Sequence, residues 1–160
     1  MGYLTLQKLD LSGNSIDIEG VRALGSFIIQ SAIQDLSFAN NFLYVEGTKA
    51  LIEALIENRS LRKLNLASNF MKDDGCQMLC FYLGLPTCML IELNLQDNFI
   101  TDKSASVLIE VLDPTVMNDL NERSDSMSAC KNQFLASIDL RQNGINGVLL
   151  SCLANKRPGI

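Results

Sequence analysis

Apolar residues recur along this chain in an order that repeats five times. Each copy reads apolar, two residues, apolar, one residue, apolar, two residues, asparagine, one residue, apolar. All twenty-five positions carry the expected residue type, which chance does not explain, so the chain is built from internal repeats. The five sets are Leu6, Leu9, Leu11, Asn14 and Ile16; Ile33, Leu36, Phe38, Asn41 and Leu43; Leu61, Leu64, Leu66, Asn69 and Met71; Leu90, Leu93, Leu95, Asn98 and Ile100; and Leu135, Ile138, Leu140, Asn143 and Ile145.

The spacing of the copies defines the repeat unit. They begin near residues 6, 33, 61, 90 and 135, and the first three intervals of 27, 28 and 29 residues predict one unit of that length. The last interval is 45 residues, so it holds one unit and an insertion of about 17 residues. We place this insertion at about 113–132 and assign residues 1–160 to a single domain.

The two halves of each copy have different periods. Apolar and polar residues alternate from 8 to 12, and this period of two predicts a strand. The same alternation recurs at 35–39, 63–67, 92–96 and 137–141. Helical spacing of apolar residues begins after Gly20, Gly47, Gly75 and Ser104. Strand and helix therefore alternate, and a short unit of this kind predicts an α/β solenoid with parallel strands.

Two sets of polar residues are predicted to have structural roles. Acidic residues that precede the helical segments, among them Asp17, Asp73 and Asp102, are expected to cap free N–H groups and to oppose the helix dipole. An asparagine ends each strand, where the chain must turn inside the stack, and its amide offers both a donor and an acceptor for backbone groups. This structural ladder consists of Asn14, Asn41, Asn69, Asn98 and Asn143.

The asparagine-containing motif and its period of 27–29 residues resemble the leucine-rich repeats of the ribonuclease-inhibitor type, over residues 4 to about 153. The resemblance implies a right-handed horseshoe arc with a parallel sheet on the concave side and helices on the convex side. Proteins with repeats of this type include the GTPase-activating protein for Ran, innate-immune NOD-like receptors and proteins that cap actin pointed ends. A fold by itself does not name a binding partner.

Strand residues that do not face the core are predicted to form polar columns across the concave sheet. Their signs alternate from strand to strand, so neighbouring strands offer pairs of opposite charge. The face is mixed in sign and free of aromatic side chains, so it offers no platform on which bases stack. We predict that a protein partner binds at Lys8, Asp10, Asp35, Ser37, Lys63, Asn65, Glu92, Asn94, Asp139 and Arg141.

The composition excludes several classes of function. The chain contains no His, which excludes a His general base, a Ser-His-Asp or Cys-His nucleophile and a His-ligated metal site. Its formal net charge of −5 disfavours unspecific binding to nucleic acid or to an anionic membrane. Five Cys residues without metal-ligand spacing indicate thiols in a reducing, intracellular compartment, which is the cytoplasm or, as the alternative, the nucleus. We expect no catalysis, no metal and no cofactor.

Two features of the predicted helices carry further expectations. Cys76 and Cys80 lie four residues apart in apolar columns, so we expect buried, inert thiols rather than a metal site. Phe81 interrupts a polar column on the convex side. A cluster with Ile52 and Ile109 from the adjoining column would be a candidate contact patch. Single exposed apolar residues are common, however, and we favour that simpler interpretation for Phe81.

The ends of the repeat array suggest how it is used. The first repeat has no polar cap and the fifth is shortened, which predicts a fragment of a longer repeat protein or a chain that associates end to end. The function predicted from the sequence is that of a non-catalytic protein-binding scaffold or adaptor. The alternatives, both by resemblance, are a regulator of a small GTPase similar to the Ran GTPase-activating protein and a cytoskeletal module that caps actin ends.

Residues 116–130, within the insertion, are predicted to be the most mobile internal segment because they are polar and rich in turn formers. We expect trypsin to cut near Arg123 before it cuts any repeat, since exposed loops are cleaved first. Limited digestion with mass spectrometry of the earliest fragments checks this. Uniform resistance across the segment would show that it is packed.

Overall fold

A computed structural model describes residues 6–112 and 134–156, so the predicted insertion at about 113–132 lies outside the described residues. Strands and helices alternate along the described chain. The strands are β1 (Lys8–Asp10), β2 (Asp35–Ser37), β3 (Lys63–Asn65), β4 (Glu92–Asn94) and β5 (Ser137–Asp139). The helices are α1 (Ile18–Gln30), α2 (Tyr44–Glu57), α3 (Lys72–Leu83), α4 (Asp102–Leu112) and α5 (Gly147–Lys156). The strands form one sheet in chain order, every neighbouring pair is parallel, and the predicted α/β arc is confirmed.

Each strand is shorter than its alternating pattern predicts. Three residues pair in register, as in Lys8↔Asp35 and Asp10↔Ser37, and the last two of each predicted five lie in the following turn. Backbone bonding continues there, since the amide of Leu11 donates to the carbonyl of Ser37 at 2.8 Å. The strand ends because the chain soon enters the left-handed region at Gly13, with φ of 70°, which a β-strand does not contain.

The core lies between the sheet and the helices. Apolar strand residues alternate toward it, and they meet the inward face of each helix at helical spacing. Burying one such side chain contributes about 1.5–3 kcal/mol. Fully buried examples are Leu36, Leu64 and Leu93 from the strands and Leu51, Leu79 and Leu108 from the helices. Within 6–112 and 134–156, each helix is too short or too polar to cross a membrane.

The helices begin two or three residues before the glycines that were predicted to precede them. Each of these glycines lies in the first helical turn, where the backbone comes close to the last apolar residue of the motif and leaves little room for a Cβ atom. A Cβ added at Gly20 would lie 2.7 Å from Ile16 Cγ2, and one at Gly75 would lie 3.1 Å from Met71 Cβ. In the fourth repeat Ser104 occupies this position, is buried, and donates its hydroxyl to a backbone carbonyl of the previous repeat.

The asparagines bond both their own turn and the neighbouring repeat. The Asn69 amide nitrogen donates to the carbonyls of Leu66 at 3.1 Å, Ala67 at 3.0 Å and, in the preceding repeat, Phe38 at 2.8 Å. Its Oδ1 accepts the amide of Leu43 at 3.4 Å. Asn41, Asn98 and Asn143 repeat this arrangement, whereas the side chain of Asn14 in the first repeat donates only within its own turn.

Acidic residues at the helix starts divide into two roles. Asp17 caps α1, as predicted, by accepting the amides of Glu19 and Gly20. Asp73 instead accepts the amide of Thr101 at 2.9 Å and its hydroxyl at 2.7 Å. Asp102 accepts the amide and side chain of Asn146 in the same way. The capping prediction for Asp73 and Asp102 is therefore corrected, since these carboxylates bond to the loop of the following repeat.

We expect Asn69→Ala to lower the free energy of unfolding by about 1–3 kcal/mol, because it leaves buried backbone groups of two repeats unpaired. Asn14→Ala is the matched control. It removes the same side chain where only one repeat is bonded and the site is exposed, so its cost should stay below about 1 kcal/mol. Urea unfolding of both variants measures the difference, and equal costs would contradict the role of the bonds between repeats.

The contact of Asp73 with the fourth repeat predicts that the stability of the protein depends on pH. Burial acts to raise the pKa of Asp73, but hydrogen bonds from Thr101 and Ser104 outweigh it and hold the pKa below 3.8. A depressed folded pKa stabilises the protein above the unfolded pKa, and this contribution is lost as pH falls through the folded value. We expect Asp73→Asn to cost about 1 kcal/mol at pH 7. The cost should shrink below pH 3.8.

Thermal unfolding at several pH values tests this expectation, with Asp74→Asn as the control. The Asp74 carboxylate is exposed, and its ion pair with Lys103 is 3.9 Å long. A cost for Asp74→Asn as large as that for Asp73→Asn would contradict a specific bond to the fourth repeat.

Candidate functional site

The parallel register aligns the outward side chains of the strands in two columns. The first contains Lys8, Asp35, Lys63, Glu92 and Ser137, and the second contains Asp10, Ser37, Asn65, Asn94 and Asp139. Leucine or isoleucine between each pair faces the core, which follows from the period of two in a strand. Nine of the ten residues predicted to bind a partner lie in these columns, and Arg141 lies two residues beyond the end of β5.

The three cations of this face are paired with carboxylates. Lys8 Nζ lies 3.0 Å from Asp35 Oδ2, and Lys63 Nζ lies 2.6 Å from Glu92 Oε1. These pairs cross between neighbouring strands, as the alternating signs predicted. Arg141 Nη2 lies 2.6 Å from Asp139 Oδ2.

The electrostatics of the face follow from these pairs. A hydrogen bond and the charge of Asp35 raise the pKa of Lys8, and the hydrogen bond from Arg141 lowers the pKa of Asp139. Pairs this exposed contribute little to stability. Their effect is to hold the charged groups at fixed positions on the surface.

The two asparagine side chains of the second column have their acceptors engaged and their donors open. Asn65 Oδ1 accepts the amide of Ala67 at 3.1 Å, and Asn94 Oδ1 accepts the amide of Gln96 at 3.0 Å. These short loops hold each side chain in one orientation. Within the described part of the chain, the side-chain Nδ2 atoms of Asn65 and Asn94 have no hydrogen-bond partner. Two neighbouring donors are therefore available to a ligand on this surface.

A shallow depression of about 290 Å³ lies at the middle of the face. Charged and amide side chains from three strands form most of its lining, and this chemistry suits hydrogen bonds and ion pairs rather than burial of an apolar ligand. No three His, Cys, Asp or Glu residues in 6–112 and 134–156 are placed to hold a metal ion. The depression is lined by Asp35, Lys63, Leu64, Asn65, Glu92, Leu93 and Asn94.

Four aromatic rings form a row beside this face, and the sequence patterns above did not predict this row. We call Phe42, Tyr44, Phe70 and Phe99 the aromatic strip. Ring centroids are 5.4 Å apart for Tyr44 and Phe70 and 5.7 Å apart for Phe70 and Phe99, with planes inclined by 26° and 16°. The signal was present in the sequence, because an aromatic residue directly follows the ladder asparagine in three repeats.

The strip runs along the side of the sheet where the carboxyl ends of the strands meet. Its residues come from the loops that leave β2, β3 and β4 and from the start of α2, and the carboxyl ends of parallel strands meet at the same edge. Three of its rings are among the exposed large apolar side chains, with Phe42 45%, Tyr44 51% and Phe99 57% exposed, and Phe70 is half-buried.

On the convex side Phe81 is 47% exposed, but Ile52 is fully buried and Ile109 packs partly against the core. No patch of three residues forms, and Phe81 is a single exposed apolar residue, as favoured from the sequence. Ile52 lies on the inward side of α2, whereas Phe81 lies on the outward side of α3. Cys76 and Cys80 are buried thiols, as predicted. A hydrogen bond with Cys76 and burial raise the pKa of Cys80, so the thiol stays neutral.

Comparison with known proteins agrees with this geometry. The family model described as "Leucine Rich repeat" matches residues 4–25, 57–80 and 88–108. In the solved structure of the tropomodulin C-terminal domain from Caenorhabditis elegans the same fold is present. The TM-score is 0.67 at 18% identity, over 94% of this chain and 81% of the other.

Curated relatives are similar over most of this chain. NACHT, LRR and PYD domains-containing protein 14 of Mus musculus is 35% identical over 157 residues, which is 96% of this chain and 14% of that protein. NACHT, LRR and PYD domains-containing protein 5 of Homo sapiens is 27% identical over 158 residues, or 96% and 12%. Ribonuclease inhibitor of Mus musculus is 34% identical over 110 residues, or 68% and 24%.

The chain thus spans less than a quarter of the length of these relatives. The chain belongs to the leucine-rich repeat proteins and is related to ribonuclease inhibitor and to the leucine-rich repeat regions of the NACHT, LRR and PYD proteins.

Proposed function

We propose that this protein is a non-catalytic binding module that holds a protein partner on its concave sheet face. The observation that supports the proposal most directly is the in-register row of fixed polar groups around the central depression. Lys63 and Glu92 are held by their mutual contact, and Asn65 and Asn94 present open amide donors beside them. A folded partner with matching acceptors and charges would bind without reorganising these side chains.

The charges of the face favour specificity over raw attraction. Each cation already contacts a carboxylate, so a partner gains little from simple Coulomb attraction. Alternating signs penalise a partner that binds in a shifted register, because like charges would then meet. We infer that the face selects the orientation of its partner.

The size of the face sets a requirement on the partner. Five strands of three residues cover roughly 10 Å by 19 Å at ordinary strand spacing. A stable protein interface buries about 800 Å² on each side. The sheet alone is too small, so a partner seated on it must also contact the loops at the strand ends.

The proposal contains no chemical step, metal or cofactor. The chain has no His, and the carboxylates of the face are engaged with cations or backbone amides rather than poised as an acid–base pair. A GTP-hydrolysis assay with a panel of small GTPases separates this proposal from a GTPase regulator. Buried Cys76 and Cys80, present as thiols, fit an intracellular, reducing compartment.

We also propose that the first repeat stacks against another repeat, either in a longer chain or end to end with a second copy. Leu6 is exposed, and Leu9 and Leu11 are only partly buried, although the same motif positions are buried in later repeats. Sedimentation across a range of protein concentrations tests the second arrangement.

The double variant Lys63→Glu, Glu92→Lys tests the concave face. It exchanges the two charges and so keeps the ion pair, which protects the fold while inverting the pattern that a partner reads. We expect affinity for a partner isolated by pull-down to fall about tenfold. Calorimetry with the purified partner measures it.

The matched control is Phe81→Ser, which changes an equally accessible residue on the convex side. Unchanged affinity for the double variant, together with loss of binding for Phe81→Ser, would overturn the assignment of the concave face.

A further inference from the structure

We propose that the aromatic strip is a second docking surface, which takes an arginine-bearing basic segment of a protein partner. It lies outside the polar columns of the sheet, and the proposal therefore goes beyond the function assigned to the concave face. The two surfaces adjoin at the strand ends, so one partner can contact both.

The strip is a continuous apolar surface. Its rings follow one another in steps of 6.4 Å from Phe42 to Phe70 and 5.7 Å from Phe70 to Phe99. Tyr44 stacks on Phe70 from the neighbouring position. Aromatic residues in rows of this kind are the anchors that protein interfaces favour, because they bury large areas at low conformational cost.

The backbone conformation at two of these rings is also unfavourable. Phe70 and Phe99 have φ of 58° and 59°, in the left-handed region that bulky side chains avoid. The repeat does not require an aromatic ring there, since Ser15 and Gly144 occupy the corresponding positions of the first and fifth repeats. Neither the core nor the turn accounts for these rings, whereas a partner that covers them would.

The charges beside the strip identify the partner as basic. Asp97 lies two residues before Phe99 and accepts the hydroxyl of Ser68 at 2.9 Å. Glu46 lies two residues after Tyr44 in the exposed first turn of α2. Among the described residues no Lys or Arg nitrogen forms an ion pair with either carboxylate.

The helix side of the strip is also more acidic than basic. The first turns of α2, α3 and α4 carry Glu46, Asp73, Asp74 and Asp102, against Lys72 and Lys103, and Lys103 lies 3.9 Å from Asp74. Together with the net charge of −5, this field attracts a cationic segment and repels acidic peptides and nucleic acid.

Arginine fits this surface better than lysine. Its planar guanidinium stacks on an aromatic face and at the same time donates two parallel hydrogen bonds to a carboxylate, whereas an ammonium is a compact point charge. Phe99 ends the strip, and Gly144 at the next position of the column contributes no side chain. A guanidinium seated on Phe99 with its donors toward Asp97 satisfies both groups.

The test uses four synthetic peptides as probes, measured by fluorescence anisotropy at low ionic strength. Three alternate glycine with arginine, lysine or glutamate, and the fourth is neutral and contains tryptophan. We expect the arginine peptide to bind, the lysine peptide to bind at least about threefold more weakly, and the glutamate peptide not to bind. Phe99→Ser should weaken binding of the arginine peptide by about fivefold or more. Asp97→Asn, which keeps an acceptor for Ser68, should weaken it as well.

Phe81→Ser is the matched control, since it removes an equally exposed Phe outside the strip and should leave peptide affinity unchanged. Thermal unfolding confirms that each variant is folded, and Asp97→Asn tests the proposal even if Phe99→Ser fails to fold. Equal affinity for the arginine and lysine peptides, or unchanged binding in Asp97→Asn and Phe99→Ser, overturns the proposal. So does preferential binding of a neutral tryptophan-containing peptide.

These outcomes are separable from those of the concave-face experiment. A short peptide on the strip does not need the charges of the sheet, so the exchange of Lys63 and Glu92 should leave arginine-peptide binding intact. Loss of peptide binding in that double variant would overturn the assignment of the peptide to the strip, while the partner experiment would still test the concave face.

Discussion

The side-chain amide of the ladder asparagine is the interaction on which this structure depends. At each strand end the backbone turns inside the stack, and its carbonyls and amides would lose water without gaining partners. Asn69 donates to carbonyls of two repeats and accepts an amide from the earlier one. Few other side chains combine donors and an acceptor in so small a volume, so the amide closes its own turn and positions its repeat against the preceding one.

The hydrogen bonds between repeats set the register of the sheet, and the register sets the pattern of side chains on the concave surface. Because the same bonds hold each strand beside the next one, Lys63 is placed opposite Glu92 and Asn65 opposite Asn94. The charge pattern is therefore a property of the stack rather than of any single repeat. A substitution in the ladder would disturb binding at the face without touching a contact residue, since the columns would no longer align.

How much of the structure could be predicted from the sequence depends on the backbone conformation of each segment. The strands, the core leucines and the cross-strand ion pairs were predictable because strict alternation holds from 8 to 10 and in each later strand. Beyond the asparagine the chain enters left-handed conformations, at Phe70 and Phe99 among others, and alternation no longer indicates where a side chain points. For the same reason the bonds of Asp73 to the next repeat were not predicted, because they join loops that are distant in sequence.

The strip and the sheet face are complementary in what each gives a partner. Fixed ion pairs on the sheet discriminate between orientations but release little free energy when bound, since their charges are already compensated. Aromatic rings such as Phe99 supply apolar area and discriminate weakly, since a ring accepts many shapes. An interface that covered only one surface would lack either affinity or orientation. Because both surfaces share the edge where the strands end, the repeat that builds one also places the other within reach of the same partner.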